Sequence, residues 1–194
     1  VKGARVLYLD VTDEDSIKKA IGEVLQESGR IDALINNAGY ASLGSVEDIP
    51  LSDARAELEV NLFGGIRLCK ELIPVFRAQG GGRVVNISSI AARFTMPYFG
   101  WYHASKCALE ALTDALRMEC RRDNIRFTLI QPGGTFTPFI EHLACELETR
   151  PETSPHSKTY RALCYYLRRV NFEWLIPGPQ KVGRAVLRTL RRKH

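Results

Sequence analysis

The chain has little cysteine, and what it has is scattered. Cys69, Cys107, Cys120, Cys145 and Cys164 form no Cys-x-x-Cys pair, and the 4 histidines do not cluster with them. That pattern argues against a zinc site and a disulfide framework, so no metal is expected; reduced thiols in a cytoplasmic setting fit it best. No run of about 18 apolar residues occurs, which leaves no transmembrane segment in this sequence. No targeting peptide is visible. Nucleic-acid motifs, low-complexity tracts and internal repeats are absent too, and nucleic acid is not an expected partner. No tight Gly-x-Gly opens a helix: Gly3 and Gly22 are isolated, and Gly80-Gly81-Gly82 precedes a strand pattern. A glycine-rich phosphate seat at a helix N-terminus is therefore not found here. Acidic residues are missing from the last 14 positions, where Lys181, Arg184, Arg188, Arg191, Arg192 and Lys193 account for the net charge of +5. A basic helix end suits the helix dipole and reads as a solvated face.

What is present is 194 residues, 45% of them hydrophobic, enough for one globular domain or most of one. Apolar, β-branched runs at Arg30–Asn36, Arg83–Ser89 and Ile125–Ile130 read as buried strands. A long helical pattern from Leu51 to about Gln79, another from about Tyr102 to Arg122 and a third from Val182 to Arg192 lie after them in turn. Strands alternating with helices predict an α/β fold with a parallel, doubly wound sheet of Rossmann-like type. Each strand runs out into small or polar residues: Asn36-Asn37-Ala38-Gly39, Ser88-Ser89, and Pro132-Gly133-Gly134-Thr135. Ligands of such sheets bind beyond the carboxyl ends of the strands.

One pair of residues carries chemistry. Tyr102 and Lys106 stand four apart and share a helix face. Their free pKa values of about 10 and about 10.4 suit neither to acid–base work at neutral pH. An ammonium beside the phenol favours phenolate, and a fall of about 3 units would correspond to roughly 4 kcal/mol of interaction. The phenol would then exchange a proton near pH 7. Ser89 lies 13 positions upstream and offers a hydroxyl to a carbonyl oxygen.

Taken together, Asp10-Val11, Asn36-Asn37-Ala38-Gly39, Asn61, Ser89, Tyr102-x-x-x-Lys106 and Pro132-Gly133 with Thr137 resemble the short-chain dehydrogenase/reductase family, in its order and spacing and over essentially the whole chain. The resemblance implies catalytic roles for Asn61, Ser89, Tyr102 and Lys106. Tyr102 would be the general acid/base, Lys106 would lower its pKa and hold the nicotinamide ribose, Ser89 would polarise the substrate oxygen, and Asn61 would bend its helix and hold a relay water. It implies cofactor contacts from Asp10, Val11, Asn37, Ala38, Gly39, Tyr102, Lys106, Pro132, Gly133, Thr135 and Thr137. The cofactor would be NAD(P), with NADP ahead of NAD. The reaction would move hydride between nicotinamide and an alcohol or carbonyl substrate.

Arg5–Asp10 matches the family's third strand, so the resemblance implies a sheet that lacks the first two strands and the last one. Residues 1–194 would form a single, partial NAD(P)-binding domain belonging to a longer protein, with 136–179 as a substrate-lid insertion. The strand at Ala33–Asn36 would then be an apolar edge. Phe139, Ile140, Leu143, Tyr160, Tyr165, Tyr166, Phe172 and Trp174, with Phe94, Met96, Tyr98, Phe99 and Trp101, suggest an apolar pocket for a steroid, retinoid or fatty carbonyl compound. Prolines at 151 and 155 predict a mobile loop in the lid. The helices from Leu51 and from Tyr102 carry wide apolar faces, and the resemblance implies a homodimer or homotetramer. The rival reading is a truncated, catalytically inactive relative that acts through protein contacts.

Overall fold

Asp13 starts the first helix because its carboxylate accepts the Asp15 N–H at 2.9 Å, one of the donors a helix N-terminus leaves unpaired. Helix α1, Glu14–Ser28, buries Ile17 and stops at Gly29, whose φ of 70° is the left-handed conformation of a helix end. These details come from a computed structural model, which describes residues 3–169 and 177–191. Strand β1 is Ala33–Asn36, and helix α2 is Leu51–Leu58. A widened π-turn over Glu59–Gly64 joins α2 to helix α3, Gly65–Ala78. Strand β2, Gly82–Ile87, helix α4, Gly100–Glu119, and strand β3, Ile125–Ile130, follow. Helices α5, Phe139–Glu148, α6, Ser157–Arg169, and α7, Gln180–Arg191, complete the described elements.

The three strands are all parallel, in the order β1-β2-β3. Leu34, Val84 and Phe127 stand in register across them. One face of the sheet is covered by α3 and α4, where Cys69, Leu72, Ile73 and Phe76 close over Val84, Ile125 and Phe127. The other face receives α7, with Arg83 Nη1 donating to the Thr189 carbonyl at 2.8 Å. Helices on both faces of a parallel sheet give the doubly wound, Rossmann-like α/β arrangement. All three strands point their carboxyl ends at the same side of the molecule. Among the described residues, no helix is long and apolar enough to cross a membrane.

Three local expectations are corrected. The segment Arg5–Asp10 is not a strand. Val6 is 90% and Tyr8 84% exposed, and among the described residues the segment has no strand beside it to complete a ladder. It is tied instead to α1, through Arg5 to Glu23 at 3.0 Å and the Asp10 N–H to Ser16 Oγ at 2.9 Å. The helix read from Leu51 to Gln79 is interrupted at Glu59–Gly64. The lid loop around Pro151 and Pro155 is pinned, not free. Ser154 Oγ donates to Asp48 at 2.6 Å, Arg150 Nε to the Leu43 carbonyl at 2.8 Å, and the Tyr160 hydroxyl also bonds Asp48. Phe172, Trp174, Arg192 and Lys193 lie outside the described residues.

Candidate active site

The carboxyl ends of β1, β2 and β3 open into a cavity of about 720 Å³. From β1 come Asn37 and Gly39, from β2 Ser88 and Ser89, and from β3 Pro132, Gly133, Thr135 and Thr137. Helix α4 adds Tyr102, His103 and Lys106, and α5 closes the far side with Phe139, Ile140, His142 and Leu143. Ser89 leaves β2 in extended conformation and accepts the Ala91 N–H at 3.1 Å, which starts a short 3₁₀ turn. The turn lifts Ile90 and the following Phe94 and Met96 into the pocket wall.

Lys106 is buried, 5% exposed, and its ammonium donates to the Ile87 carbonyl at 3.1 Å. Its Nζ lies over the Tyr102 ring, 5.7 Å from the centroid. Burial pushes the Lys106 pKa down to about 8, and Glu57 opposes the fall. The expected depression of the tyrosine is reversed. Burial raises the Tyr102 phenol above its ordinary value, a hydrogen bond with Ser89 pulls it part of the way back, and Glu57 raises it further. The physical reason is that the ammonium faces a carbonyl and the ring face, while the phenol sits among apolar neighbours that disfavour phenolate.

Asn61 does not line the cavity. It sits behind it in the π-turn, 3% exposed and fully occupied. Its Oδ1 accepts the Tyr40 N–H at 2.9 Å, and its Nδ2 donates to the Tyr40 carbonyl at 2.7 Å and to Ser105 Oγ at 3.1 Å. Gly39 is where this clamp meets the pocket. A Cβ there would stand 2.9 Å from Asn61 Oδ1 and 3.5 Å from Lys106 Nζ.

Other expected contacts fall elsewhere. Ala38 is not on the cavity wall, and neither Asp10 nor Val11 reaches it. The Asp10 carboxylate accepts the Thr12 N–H at 2.8 Å, which holds its pKa below the ordinary value, and the Val11 side chain packs on Gly64. Among the expected aromatics, Phe94, Phe99 and Phe139 reach the pocket, whereas Tyr160 is buried against Ser45 and Asp48, Tyr98 stacks on Tyr160 and His156, and Tyr165 and Tyr166 face outward.

Two residues of the site carry no sequence motif. His103 Nε2 accepts the Met96 N–H at 2.9 Å, so the proton sits on Nδ1, 2.6 Å from the Ala91 carbonyl. This imidazole ties the wall segment 91–96 to the helix that carries Tyr102. Glu57 lies one turn before Asn61 with a completely buried carboxylate. The one available signal was its i, i+4 spacing to Asn61 on an otherwise apolar helix face.

Comparison with known proteins places the chain among related sequences and folds. Residues 2–146 match the family model described as short chain dehydrogenase. A 3-ketodihydrosphingosine reductase of Bacteroides thetaiotaomicron is 37% identical over 138 residues, 71% of this chain and 51% of that protein. The chain thus spans about half the length of this relative. The crystal structure of a short-chain dehydrogenase from Streptomyces avermitilis superposes with a TM-score of 0.80 at 28% identity, over 99% of this chain and 68% of that one. An NAD+-bound xylitol dehydrogenase superposes with a TM-score of 0.78 at 26% identity, over 96% of this chain and 72% of that one.

Proposed function

The chain belongs to the short chain dehydrogenase family, and from that premise we propose that its pocket reduces a lipophilic ketone or oxidises the matching alcohol with NAD(P)(H). The observation that carries the reading is the convergence of Ser89, Tyr102 and Lys106 in one cavity beyond the strand ends. The nicotinamide, when bound, donates or accepts the hydride. Gly39 and Lys106 line the same part of the cavity, which fits a nicotinamide ring and ribose there. Asn37, Gly39, Pro132, Gly133, Thr135 and Thr137 would hold this end of the cofactor, with Tyr102 and Lys106 on the ribose.

The proton steps belong to this chain. Ser89 Oγ–H bonds the substrate oxygen, and Tyr102 Oη–H gives its proton to the same oxygen as hydride reaches the carbon. Because burial keeps the phenol protonated at neutral pH, Tyr102 starts the reductive direction in the form it needs. Lys106 keeps a positive charge near the phenol as negative charge develops there.

The lipophilic substrate is supported by the wall residues Ile90, Phe94, Met96, Phe99, Phe139, Ile140 and Leu143. A steroid, retinoid or fatty ketone meets such a wall with apolar surface, at about 25 cal/mol per Å² buried. A relative is named for 3-ketodihydrosphingosine reduction. NADP stands ahead of NAD as the cofactor in this reading.

Replacing Tyr102 by Phe tests the reading. Turnover of a long-chain ketone should fall about 10²- to 10⁴-fold, with cofactor binding retained. Near-wild-type turnover would overturn the assignment of Tyr102. A second reading, a catalytically inactive relative acting through protein contacts, rests on the exposed apolar side chains of Leu51, Phe63, Leu112 and Met118 on α2, the π-turn and α4. It predicts no turnover in the wild-type chain. The same exposed side chains are the ones a homodimer or homotetramer would cover.

A further inference from the structure

A carboxylate with no solvent exposure needs a reason to be there, because burying a charge is costly unless hydrogen bonds and a counter-charge offset it. Glu57 is such a group, 0% exposed, on α2. Its Oε2 accepts the Ser42 N–H at 2.8 Å, and its Oε1 faces Asn61 Nδ2 at 3.4 Å. Asn61 in turn grips both backbone groups of Tyr40 and donates to Ser105, the neighbour of Lys106 on α4. Lys106 presents the complementary problem. It is a buried ammonium whose hydrogen bond goes to the neutral Ile87 carbonyl. The two unsolved charges lie on either side of the Asn61 clamp.

We propose that Glu57 is a positioning residue of this site: it fastens Asn61 and the Tyr40–Ser42 segment, and it supplies the negative charge that balances the buried Lys106 ammonium. The proposal rests on the reading of Tyr102 and Lys106 as the proton-handling pair. The surroundings single out Glu57 for the task. Tyr102 faces Lys106 from its own helix. Around Glu57 stand Tyr40 and, from α5, Glu146, which is engaged by Arg150 at 2.6 Å. Asp53, on the same helix, is exposed. Burial pushes Glu57 up to about 7 and Lys106 down to about 8, and each charge favours ionisation of the other. Glu57 thereby favours the charged form of Lys106, and it does so without lining the cavity.

The test reads the proton on Lys106 directly. The full chain is labelled with 13C at the lysine ε-carbon and titrated by NMR, with the Lys106 resonance identified by its loss in Lys106→Arg. Glu57→Gln keeps the side-chain shape and an acceptor for the Ser42 N–H while removing the charge. The Lys106 midpoint should move to lower pH in Glu57→Gln and return towards the wild-type position in Glu57→Asp. An unchanged midpoint in Glu57→Gln overturns the proposal. Should Glu57→Gln fail to fold, the double variant Glu57→Gln/Lys106→Met decides. A folded double variant supports charge balance, and an unfolded one shows that Glu57 is needed for packing alone. This readout does not depend on turnover. An inactive protein with a coupled Lys106 would sink only the oxidoreductase reading, and an active protein with an uncoupled Lys106 would sink only this one.

Discussion

At Gly39 a single methyl group would decide whether the site assembles. The added Cβ would press on Asn61 Oδ1 at 2.9 Å, and Asn61 is held on both sides by Tyr40. Gly39→Ala should therefore destabilise the chain by about 1–3 kcal/mol, the usual cost of overpacking, and weaken cofactor binding. Denaturant melts and a binding titration of the variant check both effects. Glu57 and Lys106 make a second residue-level prediction, through their linked protons. Folded Glu57 keeps its proton up to about 7, whereas its ordinary value is 4.5. As pH rises from about 4.5 to about 7 the unfolded chain releases a proton that the folded chain retains, so stability falls. Lys106 works in the opposite sense. It loses its proton near 8 when folded, against an ordinary 10.5, so stability rises across that interval. Thermal unfolding across these pH ranges should show the acidic-side decline in the wild type and lose it in Glu57→Gln. Ser89, Tyr102 and Lys106, which share the cavity, stood out in the sequence because they lie in local motifs. Glu57 and His103 did not, since a carboxylate or imidazole on a helix looks the same whether it faces water or the interior.

The elements show the same division between local and long-range information. Strands β1, β2 and β3 were legible from β-branched runs closed by glycine, serine and proline. The run Arg5–Asp10 has the same pattern, yet a strand also needs a neighbour, and among the described residues it has none. The composition of 51–79 is that of an ordinary helix, and it was the family resemblance, which implied that Asn61 bends its helix, that pointed to the place where the π-turn Glu59–Gly64 lies. The lid loop was misread for a related reason. Prolines at 151 and 155 suggest freedom, while the carboxylate that anchors the loop, Asp48, lies a hundred residues away. Two predictions belong to this scale. Gly82 opens β2 directly against Phe76, where a Cβ would lie 2.2 Å from the buried ring. Gly82→Ala should cost about 1–3 kcal/mol by overpacking, measurable as a lowered denaturation midpoint. The exposed apolar side chains Val6 and Tyr8 form a surface prone to self-association. Val6→Lys with Tyr8→Lys should slow aggregation in light scattering without altering the circular dichroism of the fold.

At the scale of the whole molecule, one parallel sheet delivers three strand ends to one cavity, and α4 encloses it with Tyr102 and Lys106 while α5 adds an apolar wall. The same architecture leaves apolar side chains exposed on α2 and α4, at Leu51, Leu112 and Met118. A homodimer or homotetramer built on those helices predicts that Leu112→Glu with Met118→Glu shifts the sedimentation-equilibrium mass towards the monomer. The central claim is that this cavity handles a nicotinamide cofactor next to Tyr102 and Lys106. The most direct measurement is a fluorescence titration of the full chain with NADPH and NADH, repeated with Lys106→Ala. The account predicts saturable binding in the micromolar range, tighter for NADPH, and weakened in Lys106→Ala. A folded chain that binds neither nucleotide, or binds them equally well without the Lys106 ammonium, would contradict it.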